Sequence, residues 1–525
     1  MTTAARGRRR RAPAFDLDAY QRELETFGSA RGEARYAALT GGPALVTAPL
    51  YEQHASLFGR DAVEALTRLR DGDGAEARQA AALLPFAAEG NVESQVAELT
   101  DRIAAAEASA VVIWRGERIA YATVPSRIAE ISERSERNAL DASYREAVEA
   151  INPLREERLD GLRRAWQALG HPDPFGFVAS TQGIDLQAIS GQMDRFLVES
   201  ETPYFAALRR FLAEIDIEQG DASIADLWHV LRGVGWDAWF AERQLPAVVG
   251  ETLGNMGIDL GAQSNLRLEM QSDEGAPFAA AVPVSVPGDV RVVFRAGGGH
   301  ADYRALLGAV GRAEADAHAS TDAPASYRYA GDDSVGEAYA WMFGNLTVEA
   351  DWLATELRMS EDEIVSWLDF AAFRMLHDMR RTIASVSYQR RLHGPGGTAL
   401  HRAYYSGTLS LLTGVRHPES SYLADVPEHL GDVGRFRGWC LGTTLGDRQR
   451  QQHGASWWRN PAAVAELTRG WRRGRELNAD ALVAHVGYDR LDWRPILRQI
   501  RTQLIGEMSG YGGPNITTRA GTRKV

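Results

Sequence analysis

The spacing of apolar side chains along the chain predicts a mainly α-helical protein. Long stretches from Asp16 to about Asp216 repeat hydrophobic residues at the 3.6-residue period of a helix. In residues 92–106, the apolar positions that share one stripe are Val92, Val96, Leu99, Ile103 and Ala106. Residues 128–162 place Glu and Arg four apart, as a solvated helix face does. Asn152 and Pro153 predict a boundary between two helices there, because proline disfavours a helical conformation in the residue before it.

One region in the middle of the chain has the pattern of a β-sheet. Residues 278–286 and 290–296 are rich in β-branched side chains and flank Pro287, Gly288 and Asp289, which predicts a hairpin. Alternation over residues 266–270 adds a third strand. We therefore expect a mainly α fold in which helices close over a cleft and a small antiparallel sheet forms one wall.

Composition and charge restrict the class of protein. The 525 residues are 45% hydrophobic and 24% charged, which is typical of a globular chain, and no apolar run reaches the roughly 18–20 residues that span a bilayer. The basic start has no apolar stretch after it, so we predict a disordered arm over residues 1–15 rather than a secretory signal. A flexible tail is predicted over residues 506–525. The net charge of −12 argues against nucleic acid as a partner. We expect a cytoplasmic protein with no membrane partner.

Two residue types are nearly missing, and each excludes a kind of chemistry. Cys440 is the only cysteine, which excludes intrachain disulfides, cysteine-rich zinc sites and iron–sulfur clusters. Lys524 is the only lysine, so neither a phosphate-binding P-loop nor a Schiff-base lysine within the body of the chain can be built. We expect no cofactor, and we expect Cys440 to be a core residue.

Several segments resemble the zinc peptidases of the thimet-oligopeptidase and oligoendopeptidase group. The resemblance covers about residues 240–500 and is carried by residues 256–260, the hairpin over 278–296, the turn 297–303 and the helices over 305–315 and 331–343. It implies a large helical clamshell with a deep internal channel. It also implies a division into an N-terminal helical region, 16–240, and a degenerate peptidase-like region, 241–505.

The same resemblance implies that the zinc site has been lost. The first metal helix would carry His-Glu-x-x-His, and this chain has Gly308, Ala309 and Arg312 at the three positions, while Glu337 stands at the third ligand position. Glycine has no ligand atom, alanine cannot activate water, and a guanidinium repels a divalent cation. We therefore expect no metal and no hydrolytic site.

Two interpretations of the altered helix stay open. Arg312 beside Glu337 is either a structural salt bridge or an anion-binding group that holds a substrate carboxylate. A relocated metal site would use Glu314 and His318, which lie four residues apart. The other candidate ligands are Asp332, Asp333, Glu337, His300 and His401. Against it, Glu314 lies about 200° around the helix from Arg312, so an ordinary polar face is the simpler interpretation.

Candidate proton-transfer groups lie in two glycine-rich segments. His300 ends the turn Gly297–Gly299 and is either an acid–base group or a solvent-facing side chain. His401, Tyr404 and Tyr405 follow a glycine-rich stretch after His393, and such loops often border active sites. The resembled family also uses His and Tyr from its late helices, whereas a plain connection between helices is the alternative.

Together these observations predict a metal-free, repurposed relative of zinc oligopeptidases. It would bind a peptide- or amino-acid-like small molecule in an enclosed cleft, for non-hydrolytic chemistry in bacterial secondary metabolism. The predicted site residues are His300, Arg312, Glu337, His401 and Tyr404. The alternatives are a non-catalytic pseudopeptidase that acts as a binding or regulatory partner, and a zinc peptidase with relocated ligands. The sequence leaves the oligomeric state open.

Overall fold

A computed structural model describes residues 15–273, 275–394, 397–426 and 431–505. Residues 1–14 of the predicted arm and the whole predicted tail, 506–525, lie outside the described residues. Over the described ranges, α-helices dominate and are accompanied by two small sheets, which confirms the predicted fold class. None of the helices described is long and apolar enough to cross a membrane.

The elements before the central sheet are mainly helices with one short hairpin. In chain order they are α1 (Leu17–Leu39), α2 (Ala48–Gln53), α3 (Ala55–Phe58), α4 (Arg60–Arg70), α5 (Ala75–Ser94), α6 (Ala97–Ser109), β1 (Val111–Trp114), β2 (Glu117–Ala120), α7 (Val124–Glu130), α8 (Arg134–Leu169), α9 (Pro174–Gln182), α10 (Leu186–Ala213), α11 (Ile224–Arg232) and α12 (Leu245–Asn255).

The central sheet and the helices after it complete the fold. They are β3 (Leu266–Gln271), β4 (Phe278–Ser285), β5 (Asp289–Arg295), α13 (His300–Ala317), α14 (Ala325–Tyr329), α15 (Ser334–Gly344), α16 (Ala350–Glu356), α17 (Glu361–Leu392), α18 (Thr398–Thr413), α19 (Gly431–His453), α20 (Pro461–Trp471), α21 (Ala479–His485) and α22 (Arg494–Gln503).

Two predicted helix boundaries are wrong, and packing explains both. The stripe over residues 92–106 is divided between α5 and α6, where buried Val96 lies so close to α8 that a Cβ on Gly161 would be 2.6 Å from it. The chain breaks between α7 and α8 rather than at Pro153, which lies inside α8. Asn152 next to that proline is tied to the carbonyl of Ser420 at 2.8 Å, so tertiary contacts outweigh the local preference for a break.

The central sheet is mixed, not purely antiparallel. The order is β3-β5-β4, and β4 and β5 form the predicted antiparallel hairpin. However, β3 runs parallel to β5, with Leu266 opposite Val290. Alternation predicts a strand and its faces but carries no information about direction, which depends on the path of the connecting segments.

Close helix contacts form one wall of the interior. A Cβ on Gly438 of α19 would lie 2.5 Å from Glu337 Cβ, and one on Gly442 would lie 2.5 Å from the Ala338 carbonyl of α15. On the other side α1 contacts the sheet, since a Cβ on Gly32 would be 2.6 Å from the Pro283 carbonyl. One continuous apolar core runs from Leu17 to Leu504. The division of the chain at residue 240 stays a prediction.

Candidate functional site

A cleft of about 730 Å³ lies between these two walls. Residues of α1, α14 and β4 line one side, and residues of α13, α15, α17 and α19 line the other. The sheet lines the cleft through its edge strand β4, which contributes Ala279, Ala280, Ala281, Val282 and Pro283. A cleft of this size holds a small molecule or a short peptide.

The floor of the cleft is one face of α13. Its lining residues recur every three or four positions, the spacing of a single helix face: Ala301, Arg304, Ala305, Gly308, Ala309, Arg312 and Asp316. The three positions that the resemblance assigns to zinc chemistry therefore do face the cleft. Two of them carry almost no side chain, and the third is a cation.

Arg312 forms ion pairs with Glu337 of α15 and with Asp333, the residue before that helix. Its Nη1 donates to Glu337 Oε1 at 2.7 Å and its Nη2 donates to Asp333. Burial opposes the charge, but the carboxylates of Asp333 and Glu337 outweigh it and raise the pKa of the Arg312 guanidinium. The predicted pairing is thus confirmed, and Arg312 stays cationic at every physiological pH.

A zinc ion does not fit this arrangement. The carboxylate of Glu337 is occupied by a guanidinium, and Gly308 and Ala309 offer no donor atom. Glu314 is buried away from the cleft lining, where it accepts from Gln263 at 3.2 Å and lies 3.1 Å from His318. Over the described ranges, no group of three or more His, Cys, Asp or Glu side chains could hold a metal, at the original position or a relocated one.

The cleft lining carries an excess of positive charge. Three lining residues are acidic, namely Asp316, Asp333 and Glu337, and seven are arginines, namely Arg31, Arg35, Arg304, Arg312, Arg328, Arg374 and Arg475. Several are paired: Arg304 lies 3.2 Å from Asp378, Arg475 lies 3.5 Å from Asp316, and Arg328 contacts Glu25. Among the residues that the structure describes, Arg31, Arg35 and Arg374 have no carboxylate within 4 Å. The cleft is therefore built to attract anions, in a chain whose net charge is −12.

His300 supports one of these unpaired arginines. It is only 2% exposed, and its Nδ1 accepts from Arg374 Nη1 at 3.1 Å. Its Nε2 must then carry the proton that it donates to the Leu231 carbonyl at 3.1 Å. Burial, and then the charge of Arg374, hold the pKa of His300 well below its usual value. The solvent-facing alternative for His300 is wrong, and the side chain lies behind the cleft as a neutral acceptor.

Arg374 itself was not identified from the sequence. It is 8% exposed, lines the cleft from α17, and its Nε is buried without an acceptor among the described residues. Burial, and then the neighbouring Arg304, lower the pKa of Arg374 to about 9, so it stays charged at neutral pH. The sequence does offer one signal for a buried arginine, because Arg374 is the only charged residue in the apolar stretch 370–376.

The structure does not bring His401 and Tyr404 to Arg312 and Glu337. Both lie on α18, away from the residues that line the cleft. His401 is 2% exposed with its Nε2 3.2 Å from Arg163, whereas Tyr404 is 38% exposed. Tyr405 is buried and donates to Asp425 at 2.7 Å. These contacts are those of a helix packed on its neighbours.

Asp316 is a further lining residue that the sequence did not single out. It is buried, and burial raises the pKa of its carboxyl group in spite of Arg475 and Arg312. Its Oδ2 has no hydrogen-bond partner within the described ranges. Burial therefore favours the protonated form of this lining carboxyl group.

The fold is that of zinc peptidases, according to comparison with solved structures. An M32 carboxypeptidase from Deinococcus radiodurans R1 is 14% identical with a TM-score of 0.58, covering 94% of this chain and 99% of its own. Metallocarboxypeptidase 1 of Trypanosoma cruzi is 12% identical with a TM-score of 0.57, covering 93% and 98%. A protein assigned as an oligoendopeptidase F is 12% identical with a TM-score of 0.60, covering 96% and 98%. No protein-family model and no curated protein matches the sequence. The likeness confirms the fold that the resemblance predicts.

Proposed function

We propose that this protein uses a zinc-peptidase cleft, without zinc, to bind an anionic peptide-like or amino-acid-like small molecule. The single observation that carries the proposal is the contact of 2.7 Å between Arg312 and Glu337, two positions that the resemblance assigns to zinc ligands. The lining arginines that have no carboxylate within 4 Å among the described residues support a negative charge on the ligand.

For the reaction, we propose non-hydrolytic chemistry, such as a ring closure, condensation or rearrangement in bacterial secondary metabolism. The cleft supports this, because its lining residues can orient a bound ligand for reaction without a metal. Asp316 lines the cleft whereas His401 and Tyr404 do not, so we propose Asp316 as the group that moves a proton. A binding or regulatory protein without turnover is the second candidate, and it is favoured by a lining in which, among the described residues, no histidine takes part.

Metal analysis and peptide digestion test the proposal together. We expect purified protein to retain far less than one zinc per chain after dialysis, and to leave N-acetyl alanine peptides intact when they are followed by mass spectrometry. Isothermal titration should show that the same peptides bind. Stoichiometric zinc, or peptide cleavage that a chelator abolishes, would overturn the proposal.

A further inference from the structure

The two ends of the cleft floor carry unpaired positive charge. At one end Arg374 is 8% exposed and has no carboxylate within 4 Å among the residues described, while His300 fixes its Nη1. Burial and the neighbouring Arg304 disfavour the charge of Arg374 more than the nearby Asp378 favours it, and an incompletely compensated buried cation is costly. A ligand carboxylate in the cleft would supply additional counter-charge to this arginine.

At the other end the charge comes from α1. Arg31 and Arg35 lie one helical turn apart on the face that lines the cleft. Although the side chain of Arg35 is exposed, the surrounding protein lowers its pKa, as do the nearby charges of Arg31 and Arg312, against the opposing charge of Asp333. Glu337 and Asp333 are in direct contact with Arg312, although Asp333 also offsets part of the charge of Arg35. Arg31 and Arg35 are exposed, so both can reach a ligand.

Helix α13 sets the distance between the two ends. Arg304 lies beside Arg374, whereas Arg312 lies beside Arg35, and eight residues of helix correspond to roughly 12 Å. Between them the floor consists of Ala305, Gly308 and Ala309, whose small side chains leave room for a ligand backbone. The part of the floor that lacks zinc ligands thus forms a surface of small side chains between two basic ends.

We propose that the cleft binds an elongated ligand with a carboxylate at each end, one held by Arg374 and the other by Arg31 and Arg35. The proposal deepens the proposed function and rests on it. His300 acts as a positioning residue, because it orients Arg374 through Nδ1 without reaching the cleft. The ligand class is a short diacid or a peptide with a carboxylate at both ends, about three extended residues long.

Four probes test the two ends separately. They are trialanine with an N-succinyl or an N-acetyl cap, each with a free or an amidated C-terminus, titrated into the full chain by calorimetry. We expect the dianionic succinyl acid to bind about tenfold or more tightly than either monoanion, and the uncharged peptide to bind most weakly.

Substitutions assign each preference to its arginine. Arg374→Gln should remove the preference for charge at one end of the peptide, and the double variant Arg31→Gln/Arg35→Gln should remove it at the other end. The control Arg209→Gln, on an exposed face of α10, should change neither. Should Arg374→Gln fail to fold, Arg374→Lys keeps the charge but loses the His300 contact, and we expect it to weaken the same preference.

The outcomes separate this inference from the proposed function. Equal binding of all four probes overturns the two-ended ligand but leaves peptide binding intact. Loss of both preferences in either variant alone also overturns it, because it indicates diffuse attraction rather than two subsites. Failure of every probe to bind overturns the proposed function itself.

Discussion

Arg312 forms an ion-pair cluster with two carboxylates at the floor of the cleft. Its guanidinium donates to Glu337 at 2.7 Å and also to Asp333. The cation thus lies between two carboxylates that would otherwise repel each other. The side chains of Arg312 and Glu337 are 25% and 30% exposed. Salt and water therefore screen this ion pair less than they screen a fully exposed pair. The triad therefore stabilises the contact between α13 and α15 as well as setting the chemistry of the cleft.

Removing the cation should cost more than removing one of its partners. Arg312→Ala leaves Asp333 and Glu337 facing each other, and we expect the free energy of unfolding to fall by about 2 kcal/mol or more. Glu337→Gln keeps Asp333 as a partner and should cost about 1 kcal/mol. Urea denaturation measures both.

The exposed pair between Arg60 and Glu64 provides the control for that comparison. Arg60→Ala should change the free energy of unfolding by less than about 0.5 kcal/mol. If Arg312→Ala were equally mild, the ion pair would contribute no stability, and its role would have to be sought in ligand binding alone.

The packing of α15 on α19 depends on glycine at the points of contact. Gly438 and Gly442 let the backbones approach so closely that a methyl group would overlap Glu337 Cβ or the Ala338 carbonyl at 2.5 Å. Because α15 carries Glu337, this contact fixes how far that carboxylate extends into the cleft. Rigid backbone atoms cannot move aside as a flexible side chain would.

Gly442→Ala should therefore destabilise the protein in spite of the higher helix propensity of alanine. We expect the free energy of unfolding to fall by about 1–3 kcal/mol, the usual cost of overpacking. Gly250→Ala on α12 is the matched control, since nothing lies within 4 Å of its added Cβ, and it should gain up to about 1 kcal/mol. A stabilised Gly442→Ala would show that the two helices separate easily. Thermal and urea melts of the two variants decide.

The elements differ in how far sequence could predict them. Periodicity identified the helices and the β4–β5 hairpin because burial of one face is a local property of the chain. It did not predict that β3 pairs in parallel, or that the cleft would gather arginines from α1, α13 and α17. Both features depend on the tertiary arrangement of elements that are distant in sequence. Arg31 and Arg374, for example, line the same cleft but are 343 residues apart in the chain. The pairing of Arg312 with Glu337 was accessible because a resemblance supplied that tertiary contact.

Across the whole molecule, charge is distributed unevenly. The chain carries −12 overall, while the cleft lining holds seven arginines against three carboxylates. An anion is repelled by the outer surface and attracted once it reaches the cleft, which favours selectivity over fast capture.

Elsewhere, where α10, α17 and α18 meet, His377 and His417 are buried with Tyr204 and Thr413 as neighbours.

These two histidines should make the protein sensitive to acid. Burial lowers the pKa of His377 to about 4 and that of His417 to about 3, whereas in the unfolded chain both titrate near 6.5. Between those values the unfolded state binds more protons, so stability must fall as the pH falls below 6.5. Each histidine contributes at most about 1.4 kcal/mol per pH unit.

Urea denaturation from pH 7 to pH 4.5 measures that slope. The double variant His377→Gln/His417→Gln should lose stability less steeply than the parent protein over this range. His485→Gln, at an exposed position, serves as the control. Identical slopes for the parent and the double variant would contradict the assignment.

The lone thiol has a practical consequence. Cys440 is buried in α19, as expected for a core residue, and burial raises its pKa, so it stays a thiol and out of reach of alkylating reagents. New cysteines introduced on the outer faces of α1 and α20 could then carry a pair of fluorescent dyes without competing attachment. Energy transfer between the dyes would report in real time whether the two walls move towards each other when a ligand enters.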